Sequence, residues 1–166
     1  AAVDSITGML VDPINDDAEF GLQMFPSKGE DGCGFAAQPE VPLGAGTELS
    51  MMDAILSDLP TGSTPLQGGL EAVLNNPGRL ADIGSTSAIL VLADGAESCT
   101  GAEPAETIAD LQTITNSLID QFGVRTYAIR FGGDAPSVEQ TTQMEAIAVG
   151  GGTADPTAAT PYLDAP

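Results

Sequence analysis

A chain of 166 residues is long enough to bury a core of its own, and 42% of its residues are hydrophobic. Its 24 acidic residues face only four basic ones, Lys28, Arg79, Arg125 and Arg130, for a net charge of -20. That balance excludes nucleic acid and anionic membranes as partners, because no basic patch is present to neutralise phosphate, and it leaves cations and basic surfaces. Few carboxylates can be paired, so most must be solvated, and their mutual repulsion predicts that stability rises with ionic strength.

There is no histidine, which removes imidazole general-base catalysis and histidine metal ligation. Cys33 and Cys99, the only cysteines, are too few for a thiolate zinc site; they form a disulfide or remain two thiols. No run of 18 apolar residues and no amino-terminal export signal occurs, so the chain as given reads as soluble.

Val3, Ile6, Leu10 and Val11 stand at helical spacing and Asp12-Pro13 stops them, which predicts an opening helix from Ala2 to Val11. Phe20, Leu22 and Met24 alternate on one face before Pro26 and predict a strand. A glycine-rich loop from Ser27 to Ala37 follows. Glu40-Val41-Pro42-Leu43 then predicts an edge strand hairpinned to the first, since proline is tolerated only at an edge. The next helix is expected from Glu48 to Leu59, with Leu49, Met52, Ile55, Leu56 and Leu59 inward.

Thr64-Pro65 predicts the start of a third helix, Thr64 as N-cap and Pro65 as first residue, burying Leu66, Leu70, Val73 and Leu74. Ala88 to Leu92 is a continuous apolar run that ends in Ala93-Asp94-Gly95. Such a run reads as a parallel strand covered on both faces, delivering the Asp94 carboxylate to the carboxyl edge of a sheet, where ligands bind in open α/β folds. The alternative for Asp94-Gly95 is a turn and nothing more.

Glu103-Pro104 opens the longest helix, with Ile108, Leu111, Ile114, Thr115, Leu118 and Phe122 inward and Gly123 as its stop. Val124 to Phe131 is the next strand; Val124, Thr126, Ala128 and Arg130 share one face, and Tyr127, Ile129 and Phe131 the other. Ser137 caps a last helix through Met144, Ile147 and Ala148, ended by Gly150-Gly151-Gly152, and Pro161 to Asp164 is a short strand. Glu30-Asp31 and Asp16-Asp17 lack the spacing of a calcium loop and read as solvated charge. No nucleophile elbow or phosphate-binding glycine loop is present, so catalysis is not expected.

Four features in this order, the alternating strands and helices, Thr64-Pro65-Leu66 at a helix start, the strand ending in Ala93-Asp94-Gly95, and Val124 to Gly132, resemble the von Willebrand factor A domain over about Ala2 to Asp164. The likeness is to versions from bacterial secreted and surface proteins. It implies a three-layer, Rossmann-like α/β fold: a mostly parallel sheet with one antiparallel edge strand and helices on both faces, as a single domain over 1–166. It also implies a divalent cation, magnesium or else calcium, at the carboxyl edge, with Thr64 and Asp94 as ligands and Ser63, Gly95 and Glu97 along the binding edge. The alternative role for Thr64 is the N-cap alone. The family's function is protein recognition and adhesion outside the cytoplasm, at a cell surface or in a periplasm, without catalysis and without insertion into a membrane.

The family's Asp-x-Ser-x-Ser loop has no counterpart here, since Asp4-Ser5-Ile6-Thr7-Gly8 has Ile6 and Gly8 where the serines belong. Nor is the family's last helix seen, so the domain is expected to be incomplete at both ends. The missing first strand belongs between the Phe20 and Ala88 strands, so the sheet is expected to be completed from a longer chain or by another polypeptide. That expectation carries the alternative function: a structural subunit of an extracellular assembly, completed by its neighbours, with a vestigial metal site. In the family's topology the loops bearing Cys33 and Cys99 share one sheet edge, which favours a disulfide and an oxidising compartment.

Overall fold

The computed structural model describes Gly8 and residues 18–26, 32–36, 38–57, 62–79, 87–131 and 135–165. The expected opening helix lies, apart from helical Gly8, outside the described residues, as do Asp16-Asp17 and Glu30-Asp31. The chain divides into two compact units, Ala1–Ser63 and Thr64–Pro166.

In the first unit, β1 (Phe20–Leu22) pairs antiparallel with β2 (Val41–Gly44), and helix α1 (Glu48–Ser57) follows. The hairpin predicted from the Phe20 alternation and Pro42 is present, with a register shift between Phe20 and Leu22. Thr47 ties its end to the helix: Thr47 Oγ1 donates to Phe20 O at 2.6 Å and to Gly44 O at 3.0 Å, while Thr47 O accepts from Met51 N at 2.9 Å. The expected α1 stripe is corrected. Leu49 is 77% and Leu56 64% exposed, whereas Met51 is buried with Val41 against Phe20, Leu22, Met52 and Ala54. The small core of this unit selects the face through Met51, Met52 and Ala54, and a count of leucines does not detect that choice.

The second unit is mixed α/β. Its elements are α2 (Leu66–Leu74), a 3₁₀ turn at Pro77–Arg79, β3 (Ala88–Ala93), α3 (Pro104–Phe122), β4 (Arg125–Phe131), α4 (Val138–Gly150) and β5 (Leu163–Ala165). The three strands form a parallel sheet in the order β3-β4-β5. The described strands therefore form two sheets where one was expected, and the ladder of the parallel sheet begins at β3.

Local chemistry sets the boundaries of these elements. Gly123 stops α3 in the left-handed conformation at φ 69°, where its N–H reaches Ile119 O at 2.8 Å. Ser137 caps α4 as predicted, its hydroxyl accepting from Gln140 N at 3.0 Å. The connections β3-α3-β4 and β4-α4-β5 run in one direction along the parallel sheet, which by the right-handed rule for such crossovers places both helices on one face, and α3 packs on α4 and α2.

That face carries Val91, Ala93, Thr126, Ala128 and Arg130, all buried, and Leu111, Leu118, Met144 and Ile147 of α3 and α4 are buried as well. The opposite face carries Leu90, Leu92, Tyr127, Ile129 and Leu163, which the register aligns across the three strands; Leu90 is 42% exposed. Among the described residues of this unit, α2, α3 and α4 form one layer, so the helices expected on both faces are seen on one.

Candidate functional site

The carboxyl end of β3 brings together the two residues singled out as ligands. Asp94 leaves the strand directly after buried Ala93 and is exposed. Thr64 sits just ahead of α2, and its Oγ1 lies 2.9 Å from the position a Cβ on Gly95 would occupy. Only glycine allows so close an approach. Two further bonds lock the strands of loop together: Thr64 N donates to Ser98 Oγ at 2.7 Å, and Ser98 N donates to Thr64 O at 3.1 Å. Thr64 is thus tied to the loop of Gly95 and Ser98, which follows directly on Asp94.

Thr64 is not the N-cap of α2. The helix starts at Leu66, with Pro65 in the cap position and no side-chain cap bond from it. The cap comes instead from Glu97, 30 residues along the chain, whose Oε2 accepts from Gln67 N at 2.7 Å. Proline supplies no hydroxyl, and a carboxylate at a helix N-terminus satisfies an unpaired N–H while facing the positive end of the helix dipole.

Glu97 was expected on the binding edge; it is 6% exposed and holds the loop together. Its Oε1 accepts from Cys99 N at 2.6 Å, and its own N–H donates to Gln143 Oε1 on α4 at 2.7 Å. Gln143 is itself fully buried. Glu97 and Gln143 therefore carry the loop between α2 and α4. Sequence reasoning missed Gln143 altogether, since a glutamine inside a helix gives no signal of a loop partner remote in sequence.

On the neighbouring strands, Arg130 pairs with Asp164 at 2.6 Å, joining β4 to β5 next to their carboxyl ends. Gln67 Nε2 reaches Glu71 at 3.1 Å and Asp110 at 3.4 Å, tying α2 to α3. Ser63 is the last residue of the first unit and lies beside Gly32 there. Cys33 and Cys99 are joined in a disulfide, the outcome the resemblance favoured.

A hydroxyl and a carboxylate are hard oxygen donors of the kind that magnesium and calcium take, and magnesium keeps several of its own waters. No cluster of three or more carboxylates or cysteines with metal-binding geometry occurs among the described residues. None of the described helices is long and apolar enough to cross a membrane. No protein-family model, curated protein or solved structure matches the chain.

Proposed function

We infer that the chain is a recognition domain of the von Willebrand factor A type, acting outside the cytoplasm, that holds a divalent cation between Thr64 and Asp94 and through it a carboxylate of a partner protein. One observation carries the proposal: the hydroxyl of Thr64 is packed onto Gly95, the residue that follows Asp94, at the carboxyl end of a parallel strand. That is where ligands bind in open α/β sheets. The parallel order β3-β4-β5 with intervening helices supports the fold assignment, and the disulfide supports an oxidising compartment.

In this proposal the cation completes its shell with water and one partner oxygen, and the order imposed by Glu97 and Ser98 keeps the two protein ligands in place before the ion arrives. Thermal unfolding in EDTA, magnesium or calcium tests it. The melting temperature rises with cation concentration in the parent chain, as expected for a ligand that binds only the folded state, and the rise is lost in Asp94→Asn and in Thr64→Val. A cation response that is absent from the parent chain, or is unchanged in both variants, overturns the proposal.

A further inference from the structure

The two sheets are protected unevenly at their edges. β2 carries exposed Pro42, which cannot donate to a further strand, and the ladder of β1 is interrupted by a register shift. β5, at one side of the parallel sheet, is three residues long and ties Asp164 into an ion pair with Arg130. β3 has none of these devices. Its six residues, Ala88 to Ala93, contain no charge, proline or glycine, and they pair with β4 in unbroken register.

In a parallel ladder, alternate peptide groups of a strand point to opposite sides, so β3 presents a row of donors and acceptors away from β4. Among the described residues no strand pairs with that side. The uncharged, proline-free composition of β3 is that of strands inside parallel sheets, whose edges are otherwise shielded by charge, proline or irregularity.

We propose that the open edge of β3 takes up an extended apolar strand from a partner polypeptide with basic flanks, adding a fourth strand to the sheet. Backbone pairing along Ala88–Ala93 supplies the affinity, and side chains of the incoming strand extend the apolar row of Leu90, Leu92, Tyr127 and Ile129. The charge of the chain selects the occupant. At -20, a second copy is repelled, whereas lysines or arginines beside the incoming strand are attracted. This interaction runs along β3 and does not pass through Asp94, so it is independent of any cation.

The probe is a short synthetic peptide of valine, leucine and alanine with lysines at both ends, titrated against the whole chain in EDTA by fluorescence anisotropy. Its control is the same peptide N-methylated at alternate backbone amides, which retains charge and apolarity but cannot pair. The parent peptide binds and slows amide exchange in β3; methylation, and separately Leu90→Lys on the protein, weaken binding by roughly tenfold or more. Equal binding of both peptides overturns the proposal, as does no binding of the parent peptide. So does exchange protection of the outward amides of β3 in the protein alone, whether constant, meaning that the chain pairs them itself, or concentration-dependent, meaning that a second copy does.

Discussion

The carboxylate of Glu97 accepts the backbone N–H of Gln67 at 2.7 Å, so the N-terminus of α2 is capped by a residue from the loop beyond β3. Replacing Glu97 with alanine leaves the N–H groups of Gln67 and Cys99 without this acceptor in a buried setting and costs about 3 kcal/mol. Glu97→Gln keeps one oxygen and loses the charge, at about 1–2 kcal/mol. Urea unfolding with the disulfide intact measures both, and the order alanine, glutamine, parent in rising stability is the expected result.

Gly95 carries a second expectation. A methyl group there would meet Thr64 Oγ1 at 2.9 Å, so Gly95→Ala destabilises by about 1–3 kcal/mol through overpacking. Because the clash is with the hydroxyl, Thr64→Ala in the same chain restores part of the loss. A double-mutant cycle read by thermal unfolding shows this as a coupling between the two sites, where independent sites would add.

The Cys33–Cys99 bridge closes a long loop and constrains the unfolded chain by roughly 4 kcal/mol in the entropy model. Reduction, or serine at both positions, lowers the urea midpoint accordingly. Intact mass before and after alkylation of the denatured protein verifies the bridge: no thiol reacts until a reductant is added.

Asp155 provides a pH expectation in the loop after α4. Its carboxylate accepts from Thr157 Oγ1 at 2.7 Å and Thr157 N at 2.8 Å, and these bonds, the side-chain one foremost, hold its pKa below the ordinary value. The folded pKa is depressed, so the stabilisation is present above the unfolded pKa and is lost as pH falls through the folded one. Carboxyl-carbon NMR titration shows Asp155 titrating low in the parent chain and higher in Thr157→Val, which keeps only the backbone donors of residues 157 and 158.

Where the determinants are local, the sequence was sufficient. The apolar run of β3, the stop at Gly123 and the Ser137 cap each depend on residues within a few positions, and all three are found. The errors arise where the deciding partner is distant. Thr64 has the composition of an N-cap, but Glu97 takes that role from 30 residues away. Leu49 and Leu56 form a helical stripe, but the hairpin of Val41 and Phe20 turns Met51 inward. At the candidate site, the order along the chain singles out Thr64, Asp94 and Gly95, and the structure places Thr64 Oγ1 against Gly95. That order does not single out Gln143, since its side chain meets Glu97 only once α4 has packed.

The bond from Glu97 N to Gln143 Oε1 bears on how anything arrives at Asp94. A loop pinned at its midpoint to a buried helix side chain has surrendered its conformational freedom during folding, so little ordering remains to oppose association. In the recognition role proposed above, encounter at this edge would be close to the docking of two rigid bodies, and differences in affinity among partners would fall on how long they stay more than on how fast they meet.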